Sequence, residues 1–262
     1  PDFVIDTTAP NLIQVTAITT PSNNTTPSYV FTTNEAGTLS TNISQGFSTS
    51  SSVTTGSNQT ITFNALPEGT YSGKTITVTD AAGNTSSLTL PDFVIDTTAP
   101  TLSEVTPITT PSNNTTPSYQ FTSNEAGTLS TSISQGFSTS SSVTTGSTQT
   151  ITFNTLSQGN YSGKTITVSD AAGNAGSLTL PDFVIDTTAP TLTTVTINSN
   201  NSSNSSVAIK NSIITLSITA SENISQPSIS FKIGATSVSP NVSGSNNSYS
   251  ATYTVLDGQN GS

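Results

Sequence analysis

Few side chains in this sequence can do chemistry, and nearly all of them are carboxylates. Its 262 residues hold 14 Asp and Glu against four Lys, with no Arg, His or Cys, for a net charge of −10. Without His or Cys there is no Ser/His or Cys/His nucleophile pair. Nor is there a nitrogen or sulfur ligand for a soft metal. A carboxylate pair of the glycosidase type needs a cleft, and the aromatics Tyr29, Phe31, Phe47, Phe63 and Tyr71 read instead as core or corner residues. No enzyme is expected. Acids set among amide side chains and backbone carbonyls suit a hard cation, and an irregular oxygen cage suits Ca²⁺ better than Mg²⁺.

Which acids matter follows from an internal repeat. The block PDFVIDTTAP occurs at residues 1–10, 91–100 and 181–190, a period of 90. Residues 1–90 and 91–180 differ at only 15 positions. Glu68 stands as Gln158 and Gln14 as Glu104, so those two places tolerate loss of charge. Asp6, Glu35 and Asp80 instead recur as Asp96, Glu125 and Asp170, and Asp186 with Glu222 repeats two-thirds of the set one unit later. These eight residues are the candidate metal ligands. Asn34, Asn84, Asn124 and Asn174 are candidate amide ligands or supports, and Asp92 is a weaker addition.

Apolar residues alternate in short runs, among them Tyr29/Phe31, Ile61/Phe63, Ile76/Val78 and Phe93/Ile95, with Thr in the outward places. That is the pattern of half-buried strands. With turn clusters at 21–24, 35–37, 66–69 and 80–84, each unit reads as an all-β sandwich of about seven strands. The strands fall near 11–19, 28–33, 38–43, 47–56, 59–65, 74–79 and 87–95. The first, third, fifth and last run one way and the others run back. The start of the first strand, the turn at 34–36 and the turn at 80–84 therefore share one end. Asp6, Glu35 and Asp80 meet there, facing the preceding unit, and Asp96, Glu125 and Asp170 meet between units one and two. Three carboxylates so placed repel one another unless a cation or protons offset them. The run Asp80-Ala-Ala-Gly-Asn84 is also an ordinary turn in which Asp and Asn bond their own backbone; both roles can hold at once.

The expected divisions are a closing strand of a preceding unit at 1–5, repeats at 6–95 and 96–185, and a divergent third unit at 186–262 that stops before its final strands. Linkers of about five residues ending in Ala-Pro favour a stiff, linear rod. With no Met in the sequence, the chain is expected to be a piece of a longer one. The absence of clustered Lys and Arg argues against nucleic acid. No apolar run approaches the ~20 residues of a membrane span.

With DTTAP opening a unit, NEAG some thirty residues later and DAAGN before the final strand, the chain resembles the bacterial Ig-like repeats of large secreted adhesins and surface fibre proteins. DTTAP and SEN within 186–223 extend the likeness to the third unit. The resemblance implies tandem immunoglobulin-like sandwiches at the bacterial cell surface, often calcium-stabilised. They would serve as a stalk whose partners are neighbouring repeats and other copies in a fibre. Two other readings stay open: a filament subunit joined by strand donation, and a module whose Thr/Ser/Asn faces bind glycan or ice.

Overall fold

The computed structural model describes residues 4–259. Of the expected closing strand at 1–5, residues 1–3 lie outside that range, and Val4 and Ile5 form no strand. Every regular element among the described residues is a strand, and no helix is long and apolar enough to cross a membrane. The chain divides after Thr187 into two compact units, the first of which holds both 90-residue repeats.

Repeat 1 comprises β1 (Leu12–Thr16), β2 (Ser28–Thr33), β3 (Gly37–Thr41), β4 (Ser52–Val53), β5 (Gln59–Thr62), β6 (Gly69–Tyr71), β7 (Thr75–Thr79), β8 (Thr85–Thr89) and β9 (Phe93–Ile95). Two sheets, β1-β2-β5 and β4-β3-β7-β8, form the sandwich, and β6 pairs with β9 separately. Alternation places Tyr29 and Phe31 of β2, Ile61 of β5, and Ile76 and Val78 of β7 in one core at 0–2% exposure. Their Thr and Ser neighbours turn outward and pair across strands, as Thr77 does with Ser87 at 2.7 Å. Repeat 2 copies this order as β10 (Leu102–Thr106), β11 (Ser118–Ser123), β12 (Gly127–Thr131), β13 (Ser142–Val143), β14 (Gln149–Thr152), β15 (Gly159–Tyr161), β16 (Thr165–Ser169), β17 (Ala175–Thr179) and β18 (Phe183–Ile185).

The single last strand expected at 87–95 is two strands in two sheets. β8 pairs with β7, but Pro91 has no N–H to extend the ladder, and the chain crosses so that β9 pairs with β6. β6 itself occupies a stretch where only a turn and a corner residue were expected. Tyr71 nonetheless behaves as a tyrosine corner: its hydroxyl donates to the Pro67 carbonyl at 2.7 Å, and its ring stacks on Phe93 at 4.8 Å.

The third unit contains β19 (Leu192–Ser199), β20 (Ile213–Ala220), β21 (Phe231–Ile233), β22 (Thr236–Val238), β23 (Asn241–Ser245) and β24 (Ser248–Thr254). Its sheets are β19-β20-β24-β23 and the two-stranded β21-β22.

Candidate metal centre

Short-range chemistry fixes each candidate side chain. β2 ends at Thr33, which is 2% exposed; its hydroxyl donates to the Glu35 carbonyl at 2.9 Å and accepts the Glu35 N–H at 3.3 Å, tying down the turn that carries Glu35. Gly37 follows because a Cβ there would run into the Thr79 carbonyl and the Val78 side chain. Asn34 clips this turn to the start of β1, its Oδ1 accepting the Asn11 N–H at 2.6 Å. In repeat 2, Ser123 and Asn124 take the same roles, with Asn124 Oδ1 accepting the Thr101 N–H at 2.6 Å.

Asp80 is the hub of its turn. Its Oδ1 accepts the N–H of Ala82 at 2.9 Å and of Asn84 at 2.8 Å, while Oδ2 accepts Asn84 Nδ2 at 2.8 Å. The same Nδ2 donates to the Asp6 carbonyl at 3.2 Å, so Asn84 fastens the turn to the segment entering the repeat. Gly83, at φ 95°, supplies a conformation that other residues resist. Asn34 and Asn84 are thus engaged as supports. The capped turn aims Asp80 and leaves its oxygens further acceptor capacity.

The turns bring the two complete trios together. Asp6, Glu35 and Asp80 each offer a carboxylate oxygen within 4.8 Å of the others, and so do Asp96, Glu125 and Asp170. Ligand oxygens on opposite sides of a Ca²⁺ ion lie about 5 Å apart, since each bond is ~2.3–2.6 Å. Either trio can therefore share one such ion. Among the described residues no lysine pairs with either trio; the ion pair Lys210–Asp257 lies on the exposed surface of the third unit. Asp92 is not among the residues brought together at Asp96, Glu125 and Asp170. Asp186 belongs to the first compact unit and Glu222 to the second. Glu222 buries its Oε1 without a hydrogen-bond partner.

At the joint between repeats a fourth carboxylate takes part. Glu68, in repeat 1, accepts the hydroxyls of Thr97 at 2.9 Å and Thr98 at 2.8 Å through Oε2, pinning the linker. Those bonds, Thr98's foremost, hold its carboxyl below the ordinary range. The Glu125 carboxyl is pushed up, first by burial and then by the charges of Asp96, Asp170 and Glu68. At Asp170 burial also pulls upward, but bonds from the Asn174 side chain and the backbone N–H groups of 172–174 outweigh it, and its carboxyl lies low.

Glu68 does not keep its charge between the copies, Gln158 standing in its place. The replacement keeps the acceptor: Gln158 Oε1 takes the Thr187 hydroxyl at 2.9 Å. The same holds at the other swapped acid, where Tyr29 donates to Gln14 at 3.1 Å and Tyr119 to Glu104 at 3.0 Å.

A family model described as a bacterial Ig-like domain matches residues 16–97, and a second, bacterial Ig-like domain (group 3), matches 57–138 and 146–256. No curated protein matches the chain. The span 57–138 runs from one repeat into the next, as a sequence of nearly identical tandem copies permits.

Proposed function

The chain belongs to the bacterial Ig-like domain family, and from that premise we propose that it is a stalk segment of a bacterial surface adhesin, stabilised by calcium at the ends of its repeats. Members of this family are typically non-catalytic structural modules of surface or extracellular proteins. The observation that carries the reading is the position of Asp96, Glu125 and Asp170, with Glu68 beside them, where the body of one repeat meets the linker to the next. A spacer has to transmit direction across such joints. A cation bridging those acids would replace repulsion by attraction at the point where bending occurs.

Asp6, Glu35 and Asp80 would form the equivalent site one unit earlier. Extracellular calcium modules bind at ~10⁻⁴–10⁻³ M. At a free concentration about 100 times the dissociation constant, one site stabilises its folded repeat by about 2.7 kcal/mol. Titration calorimetry and melting of the whole chain in millimolar Ca²⁺ test this. Heat of binding and a raised Tm are expected; neither heat nor shift would remove calcium from the proposal. The spacer role has its own test in X-ray scattering from chains of one, two and three 90-residue repeats. Their maximum dimension should grow by roughly 35–40 Å per repeat, and a dimension that does not grow sinks it.

A further inference from the structure

The joint between repeats 1 and 2 has a second point of contact, made by the backbone of the turn that carries Asp170. In repeat 1 the loop at 21–24 is tied to the strand leading into the linker. Ser22 N–H donates to the Val94 carbonyl at 3.1 Å, Asp96 N–H to the Ser22 carbonyl at 3.0 Å, and Val94 N–H to Thr20 Oγ1 at 2.8 Å. From this braced loop the Asn23 N–H reaches across and donates to the Ala172 carbonyl of repeat 2 at 3.1 Å. The Asn23 carboxamide lies over Gly173, its Nδ2 3.5 Å from where a Cβ would stand. Ala172 is half-buried, whereas Ala82, at the same place in repeat 1, is exposed.

The receiving turn is as firmly held as the loop. Asp170 Oδ1 accepts Gly173 N–H at 2.7 Å and Asn174 N–H at 2.8 Å. Asn174 Nδ2 reaches the Asp96 carbonyl at 2.8 Å, against 3.2 Å for Asn84 to Asp6. Two internally hydrogen-bonded pieces therefore meet through a backbone bond and a glycine contact, and the Glu68 clip holds the linker between them. These ties are made by the polypeptide itself.

We propose that residues 21–24 of one repeat and residues 170–174 of the next form a head-to-tail latch that closes the joint without a cation. Its partner is a repeat carrying the Asp-Ala-Ala-Gly-Asn turn. Repeats 1 and 2 carry both halves of the latch, and residues 186–262 contain no such turn. The latch goes beyond the stalk reading: it shares Asp170 with the proposed calcium site but needs no ion there.

Because the chain has no Cys, spin labels can be placed cleanly at Thr60→Cys and Thr150→Cys in the full chain with excess chelator. The parent pair should show one narrow distance distribution. Asn23→Pro deletes the donating N–H and should raise the open population about fivefold. Asn113→Pro makes the same local change in repeat 2 and should leave the distribution alone. If Asn23→Pro unfolds repeat 1, amide exchange at Asn23 in the unsubstituted chain decides. Exchange slowed relative to an exposed amide supports the latch, and exchange at the exposed rate overturns it. A distribution that is broad in chelator and narrows only with Ca²⁺ overturns the latch while leaving the cation site intact. An unaltered distribution in a folded Asn23→Pro chain also overturns it.

Discussion

Repeat 1 and the third unit open alike, with Asp-Thr-Thr-Ala-Pro ahead of a first strand that begins at a Leu, yet they bury very different interiors. In repeat 1, Phe31, Phe63 and Phe93 lie at 0–1% exposure between two sheets. In the third unit β19 is exposed along almost its whole length, with Leu192 at 58%, Val195 at 55% and Ile197 at 60%. A cavity of about 590 Å³ lies among Ile197, Val207, Ile214, Ile233 and Val255. Both regions form good strands. Repeat 1 differs in having a four-stranded second sheet where the third unit has β21 and β22 among its described residues. Local pattern makes a strand, but an opposing sheet makes a core.

The sharpest test of this contrast is to remove one large side chain from each kind of interior. Phe121→Ala, in the closed core of repeat 2, should cost about 3–5 kcal/mol and abolish that repeat's melting transition. Phe231→Ala in the third unit should cost clearly less, because Phe231 lies on the two-stranded sheet β21-β22 rather than within a core closed by a three- and a four-stranded sheet. Equal losses by calorimetry would mean that the third unit is packed as tightly as its neighbours.

A smaller effect is expected from overfilling. Gly127→Ala drives a Cβ into the Ser169 carbonyl and the Val168 side chain, at a cost of about 1–3 kcal/mol. Gly146→Ala, where a Cβ meets nothing within 4 Å but φ is 69°, should cost about 1 kcal/mol. Denaturant midpoints would rank the two; the reverse order would show that the pole of the sandwich yields more readily than its turns.

The joint and the first pole can be compared in the same way. Asp96→Asn should weaken calcium binding at the joint and leave the site of Asp6, Glu35 and Asp80 unchanged, seen as loss of one of two calorimetric sites. Glu68→Gln keeps the linker clip, as Gln158 does, but removes one of the charges that raise the Glu125 carboxyl. In chelator its titration, followed by carboxyl NMR, should shift toward lower pH. No shift would mean that Glu68 does not act on Glu125.

The weakest effect is that of pH in chelator. Glu125 has a raised folded-state pKa, so the stability it contributes is present below its unfolded value, ~4.3, and is lost as pH rises through the folded one. Asp170 has the opposite sign: its contribution is present above ~3.9 and is lost as pH falls through its lowered value. Moderate acidification from neutral pH should therefore first raise the Tm of repeat 2, and Glu125→Gln should erase that rise. A Tm that only falls would remove the carboxylate strain from the joint.

Much of this was legible in the residues. Period-two alternation located the strands that pair within a repeat, and antiparallel strand order alone assigned Asp6, Glu35 and Asp80 to one pole. Ser-Leu-Thr-Leu-Pro-Asp-Phe-Val-Ile held a mark of its break, because the inward residues fall at 88 and 90 and then at 93 and 95, so the alternation changes phase across Pro91, where the chain passes to another sheet. Glu68 and Asn23 were out of reach. They come from the body of the preceding repeat, and what they touch depends on how two repeats abut, which no pattern within one repeat encodes. The Glu68-to-Gln158 exchange did carry a hint, since both side chains offer the same kind of oxygen to a threonine.

The crossing of β9 also bears on how the chain folds. Residues 93–95 and 183–185 have the same sequence, so each closing strand fits β6 and β15 equally well. Closing repeat 1 with the later strand spans a roughly fivefold longer loop. By loop-closure entropy that costs only about 1.4 kcal/mol, a bias of about tenfold toward the correct strand. Near-identity between neighbours thus carries a risk of misassembly characteristic of tandem repeats. A nascent chain escapes it by completing repeat 1 before the second copy of the strand has been synthesised.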